Sequence, residues 1–323
     1  MHTINGDKMQ IRLGYVGTPI TIPNITYSST ITYTNYLKLG EQKGLEKIDH
    51  VIQSNFENLK KVLQYNLQNN ITFYRLSQNL IPLATKKEVV FDYSLPYRQQ
   101  FSEISQTIHR HHMRIDTHPD QFCVLNSTKK EVVEQSIQIL KFHYQLLTNL
   151  KITPHMILHI GSSTFGKKQA IARFKKQFLK LPPTLQQSIY LENDDKIFTV
   201  NDTLNLCEEL HIPFVLDYHH HCCNHDEVDL TSLLPRIVNT WKDTKLNPKM
   251  HFSSPKNKKE FRNHSEYLDI QPFLKFLQIL KPLATDIGIM LECKAKDDAL
   301  FRLMRQIQFY TDYVIINDST FLI

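Results

Sequence analysis

Short apolar runs that end in a polar or ionisable residue alternate along this chain with longer stretches of helical spacing. The runs are Gln10 to Tyr15, Thr72 to Arg75, Arg114 to His118, Met156 to His159, Ile189 to Glu192, Phe214 to Asp217, Lys249 to His251 and Ile287 to Glu292, each of strand length. Amphipathic stretches separate them: Leu45 to Asn69, Thr128 to Leu150, Lys167 to Lys180, Val200 to Leu210, Leu230 to Thr240, Ile270 to Leu280 and Asp297 to Tyr310. Thr128 and Glu131 have the spacing of a capping box. Eight βα units in series predict an α/β fold, a single (β/α)8 TIM barrel whose active site gathers at the C-terminal ends of the strands. No low-complexity linker or repeat of about 20–50 residues divides the chain, so residues 1–323 are expected to form one domain.

Composition narrows the function. At 41% hydrophobic and 22% charged residues, the 323-residue chain can bury a sizeable core. Only 8 residues are glycine, and no Gly-rich phosphate loop of the Walker or dinucleotide type occurs, so a nucleotide cofactor is not expected. The net charge of +6 fits a polyanionic partner, though an ordinary lysine-rich protein would share it. The first residues, MHTINGDKMQ, lack a basic segment followed by an apolar core, and no uncharged apolar run approaches about 18 residues. A cytoplasmic protein without membrane contact is expected. Five cysteines without repeated CxxC spacing argue for free thiols.

The strand ends carry the chemistry. They read Tyr, Arg, His, His, Glu, Asp, His and Glu, and buried charges at one mouth require pairing or cations. A lone His159 or Glu192 would usually be a hydrogen-bonded structural residue; the set changes that reading. Asp217 is followed by His219, His220 and His221, and spacing alone does not say which turns inward. Period-two alternation places Lys249 and His251 on one strand face. An inward lysine there would have a depressed pKa, pair with a carboxylate, or be carboxylated to a carbamate. The ligand pool is His118, His159, Glu192, Asp217, one of His219 to His221, His251, His264 and Glu292. Mixed imidazole and carboxylate donors suit two or three zinc or manganese ions with bridging carboxylates, and phosphodiester hydrolysis is the matching chemistry. Cys222 and Cys223 could be ligands or a vicinal disulfide, but the pool is complete without them. Trp241 reads as core packing.

RLGY, FYRLSQNLIPLAT, THPDQF, LHIG, LEND, LDYHHH, PKMH with His264 thirteen residues on, and MLECK occur in that order from about Ile11 to Glu292. With these blocks the chain resembles the UV-damage endonucleases, DNA-repair enzymes whose barrel is related to endonuclease IV. The resemblance implies up to three divalent ions, usually manganese, with zinc or magnesium as alternatives. His118, His159 and Glu192 would hold one; Glu192, Asp217, His251 and Glu292 a second; His220 and His264 a third. It implies that Lys249 is carboxylated and joins the metal site, and that Glu192, Lys249 and Glu292 are catalytic. Gln121 and Phe122 resemble the family's pair of probing residues, and Tyr15 its first-strand residue beside the lesion. Two positions depart from the pattern: Asn24 stands at a different offset from the expected asparagine, and Lys86 replaces a frequent histidine. The implied activity is incision immediately 5′ to a UV photoproduct in double-stranded DNA, leaving a 3′-hydroxyl and a 5′-phosphate, by a monomer acting at the nucleoid. An abasic-site endonuclease of the endonuclease IV type is the nearest alternative; a sugar isomerase and a non-catalytic damage-binding protein are more distant ones.

Overall fold

A computed structural model describes residues 8–323; the residues before these, with the start of the N-terminal reading above, lie outside the described part. In chain order the elements are β1 (Gln10–Val16), α1 (Tyr33–Leu39), α2 (Glu41–Gln68), β2 (Phe73–Leu76), α3 (Arg98–Arg110), β3 (Arg114–Thr117), α4 (Lys130–Asn149), β4 (Met156–His159), α5 (Lys167–Phe178), α6 (Pro183–Gln186), β5 (Ile189–Glu192), α7 (Val200–Leu210), β6 (Phe214–Asp217), α8 (Tyr218–Cys223), α9 (Leu230–Asn239), β7 (Lys249–Phe252), α10 (Ile270–Leu280), β8 (Ile287–Leu291), α11 (Lys296–Tyr310), β9 (Val314–Asn317) and β10 (Thr320–Leu322).

β1 to β8 are parallel neighbours in sequence order, and β1 closes the ring through Tyr15↔Tyr74 and Val16↔Arg75 on one side and Ile11↔Ile287 to Tyr15↔Leu291 on the other. This is the expected (β/α)8 barrel. The antiparallel β9–β10 hairpin, absent from the sequence reading, pairs with Gln10–Arg12, where β2 has not yet begun. The helix α3 is also an addition. The capping box expected at Thr128 and Glu131 does not form: α4 starts at Lys130 behind Lys129, which makes no side-chain cap. A box does form at α7, where Thr199 and Asp202 satisfy each other's backbone amides.

The main core lies between the barrel and its helices. Along α2, Ile48, Ile52, Phe56, Leu59 and Leu63 repeat every three or four positions and are all buried. Two asparagines share that face and bond to what packs against it. Asn55 donates to the carbonyls of Ser29 and Leu80 at 2.9 and 3.1 Å, tying the first and second βα loops together. The other, Asn66, accepts from the Tyr15 hydroxyl at 2.6 Å.

The barrel interior is not an apolar continuation of this core. Its lower end is filled by Ile157, Tyr190, Val215 and Trp241, with the Trp241 indole donating to the Phe214 carbonyl at 2.7 Å. Phe73 spans the middle. A Cβ on Gly14 would collide with the Phe73 carbonyl oxygen, and one on Gly288 would come within 2.9 Å of its ring, so both strands need glycine there. Above this ring the interior turns ionic, and that change positions the site.

Candidate metal centre

Alternate residues on each strand face the barrel interior, and near the C-terminal ends these are the ionisable ones. His159, Glu192 and Asp217 close β4, β5 and β6; His251 lies within β7; His118 and Glu292 directly follow β3 and β8. Glu192, Asp217 and His251 are fully buried.

Glu192 stands at the centre and divides its two oxygens. Its Oε2 lies 2.9 Å from His118 Nε2 and 3.9 Å from His159 Nε2. Its Oε1 lies 3.1 Å from His251 Nδ1 and 3.3 Å from His220 Nδ1. His251 Nδ1 is in turn 3.2 Å from Glu292 Oε1 and 3.9 Å from Asp217 Oδ2. The donors thus form two convergent sets with Glu192 in common: His118, His159 and Glu192, and Glu192, Asp217, His251 and Glu292. Glu192 Oε1 and Asp217 Oδ2 are buried without a hydrogen-bond partner. Carboxylate oxygens left this way are costly, and divalent cations are the partners that such imidazole and carboxylate sets fit.

The electrostatics point the same way. Burial resists ionisation of Glu192, but the imidazoles of His251 and His159, the hydrogen bond from His118 and the nearby His220 ring hold its carboxyl well below the usual range. Asp217 moves oppositely: burial, with repulsion from Glu192 and Glu292, outweighs His220 and pushes it up to about 7. Burial lowers His251 to about 4 and lowers His159 as well, favouring the neutral rings that a metal requires. Although burial opposes its charge, His220 is raised to about 11 by Asp217 and Glu192.

Beneath the donors lies a buried ionic floor. Lys249 Nζ is 2.6 Å from Asp116 Oδ2, and Arg75 Nε is 3.5 Å from Asp116 Oδ1. Arg75 also reaches Glu292 Oε1 and His251 Nε2, each at 2.5 Å. Arginine only donates, so Arg75 gives both of these bonds. Burial lowers Lys249 to about 7 against the pull of Asp116, with Arg75 and Arg114 adding to the fall. Arg75 appeared among the strand ends but not among the site residues, and Asp116 was missed. Asp116 lies two residues before His118, the period-two signal that joined Lys249 to His251.

Of the three histidines after Asp217, His220 is the one facing Glu192. Asp217 caps α8 by accepting from the His220 amide at 2.7 Å, which turns this ring back over the site. The expected third pair is less closely built: the His220 and His264 rings are 6.3 Å apart, and His264 completes no set of three among the described residues. Cys222 and Cys223 are free thiols, so no vicinal disulfide is present.

The lesion-contact residues separate. Gln121 and Phe122 are exposed on the loop after β3, Phe122 at 68%. Asn24 is exposed on the loop after β1, with a left-handed backbone (φ 58°) that asparagine tolerates. Tyr15 is fully buried against α2 and bonded to Asn66. β1 continues to Val16, and the strand's parity turns Tyr15 outward from the barrel. Lys86, in the position of the frequent histidine, lies over the Tyr33 ring at 4.6 Å.

Residues 11–320 match the model of the family described as UV-endonuclease UvdE. The UV DNA damage endonuclease of Bacillus cereus strain G9842 is 39% identical over 301 residues, 93% of this chain and 95% of that protein. Its counterpart in Bacillus thuringiensis subsp. konkukian is 37% identical over 314 residues, 97% of this chain and 99% of that one. Among solved structures, the crystal structure of SacUVDE superposes with a TM-score of 0.83 at 31% identity, covering 93% of this chain and 98% of that one. Endonuclease IV from Thermus thermophilus shares the fold, with a TM-score of 0.54 at 13% identity, covering 93% of this chain and 100% of that one.

Proposed function

The chain belongs to the UV-endonuclease UvdE family, a family of DNA-repair endonucleases, and from that premise we propose that it incises duplex DNA immediately 5′ to UV photoproducts, leaving a 3′-hydroxyl and a 5′-phosphate. The observation that carries this reading is the pair of donor sets sharing Glu192 at the barrel mouth. His118, His159 and Glu192 would hold one divalent ion; Glu192, Asp217, His251 and Glu292 a second; His220 and His264, the more open pair, a third. Manganese is the first choice and zinc or magnesium the alternatives. Bound there, the ions supply Lewis acidity, making water a nucleophile near neutral pH and neutralising charge on the phosphoryl and leaving oxygens.

The chain's own residues do the rest. Glu192 holds the two donor sets in register, and Glu292, anchored by Arg75, stays ionised at the reacting phosphate. Lys249, carboxylated in the active form, would add a further anionic donor above Asp116. Phe122 and Gln121 enter the duplex where a lesion has weakened stacking and pairing, the ring replacing a lost stack and the amide a lost pair. Asn24, on the loop after β1, is a further DNA contact. The protein works as a one-domain monomer in the cytoplasm, at the nucleoid; no described helix is long and apolar enough to cross a membrane.

The deciding experiment compares a duplex holding one thymine photodimer with the same duplex holding an abasic site. Cleavage one bond 5′ to the photodimer, abolished by a chelator and weakening steeply with salt as counterions compete, is the expected result. Strong abasic cleavage without photodimer cleavage would replace this reading with the endonuclease IV type.

A further inference from the structure

We propose that Phe165, on the loop between β4 and α5, is a second nucleobase-stacking residue, which contacts a base unstacked near the lesion. Phe165 is 73% exposed and has a left-handed backbone, φ 64°, a conformation that is a true outlier for an aromatic residue. Its ring returns little for this: the Arg173 guanidinium lies over it at 5.9 Å from its centroid. Residues in strained backbone persist where the surroundings enforce them, and they cluster at ligand clamps.

Those surroundings tie Phe165 to the loop of Phe122. Asn126, four residues after Phe122 and fully buried, donates to the Ser162 carbonyl at 2.7 Å and accepts from the Ser162 amide at 2.8 Å. Arg173 bonds the carbonyls of Asn126 at 2.9 Å and Thr164 at 2.6 Å, clamping both loops. Gly161, at φ 107°, permits the close approach, since a Cβ there would meet Asn126 Oδ1 at 2.7 Å. The two exposed rings are thus held on adjacent loops as one unit.

Position completes the case. Phe122 follows His118 by four residues and Phe165 follows His159 by six, and these two histidines belong to the same donor set, their rings 5.3 Å apart. At about 3.3 Å per residue, Phe165 lies within roughly 20 Å of that set, or about six steps of B-DNA at about 3.4 Å each. Exposed Lys129 and Lys168 follow Phe122 by seven residues and Phe165 by three in the chain. Cations beside exposed rings suit a backbone carrying an accessible base, the combination that holds unpaired nucleotides elsewhere.

The inference rests on damaged duplex DNA being the substrate, and the test separates the two. The photodimer duplex is titrated with wild type, Phe165→Ala, Phe165→Gly and Phe165→Trp, recording KM, kcat and Tm. Stacking worth one base predicts about a tenfold rise in KM for Phe165→Ala and Phe165→Gly, with kcat within twofold. The glycine variant, relieved of the left-handed strain, should melt no lower than wild type. Phe165→Trp should restore KM, and its exposed indole should be quenched by the damaged duplex; Trp241, buried at the barrel's lower end, gives a constant background. Unchanged KM for Phe165→Ala in an enzyme that nicks the photodimer overturns this inference alone, as does an unquenched indole. A wild type that neither binds nor nicks the damaged duplex overturns the functional reading and this inference with it.

Discussion

Replacing Glu192 by glutamine tests whether one carboxylate serves two ions. The side chain is fully buried, with Oε2 at 2.9 Å from His118 Nε2 and Oε1 at 3.1 Å from His251 Nδ1, and it is the only member common to both donor sets. Glutamine keeps the shape and removes the charge. A charged hydrogen-bond acceptor is worth about 1.5–3 kcal/mol, so each ion should lose roughly 10–150-fold in affinity. The controls give the pattern its meaning: His159→Gln should weaken only the first ion and Asp217→Asn only the second. Chelator-stripped protein titrated with Mn²⁺ by calorimetry, with elemental analysis for stoichiometry and melting curves to confirm folding, reads all three variants. Loss of both ions in Glu192→Gln is the expected outcome, with nicking abolished. If either ion remains with its Kd within threefold of wild type, the shared-carboxylate argument is wrong.

Three further predictions address the frame around the site. Tyr15→Phe leaves the Asn66 side chain without its hydroxyl partner; unfolding free energy should drop by about 1–2 kcal/mol, while photodimer nicking stays within twofold. Trp241→Ala opens the lower end of the barrel, where the indole is 2% exposed and packs on Ile157, Tyr190 and Val215; denaturant melts should show a loss of about 3–5 kcal/mol. His143, buried in α4, is lowered to about 3 by burial, with His118 adding to the fall, against an unfolded value near 6.5. The unfolded chain therefore binds the extra proton between those values, so this contribution is complete above about pH 6.5 and declines as pH falls toward 3. It amounts to roughly 4–5 kcal/mol in full. Stability measured from pH 7 to pH 4 should fall less steeply in His143→Leu than in wild type by about one proton; equal slopes would refute the assignment.

The eight barrel strands were legible because each couples a short apolar run to an ionisable end, and that end is where the interior changes from Phe73 and Trp241 to charge. The β9–β10 hairpin was not legible. Its strands are three and four residues long, and only the free stretch of β1 beside Gln10–Arg12 gives them a partner. The buried stripe of α3 includes a polar residue, Ser105, among Phe101, Ile104 and Ile108, which dilutes its periodicity. At the site, parity decided the outcomes. It correctly joined Lys249 to His251 and would have joined Asp116 to His118. Tyr15 came from the resemblance alone, and the extra residue of β1, Val16, sets the face it takes. Which of three adjacent histidines turns inward depended on a cap made by Asp217, which is tertiary geometry that no spacing specifies.

The most direct test is an anomalous difference map from crystals soaked in Mn²⁺. Peaks on both sides of Glu192, one within reach of His118 and His159 and the other within reach of Asp217, His251 and Glu292, are the predicted result. A map with no peak at Glu192, or with manganese held elsewhere on the barrel, would contradict the account at its centre.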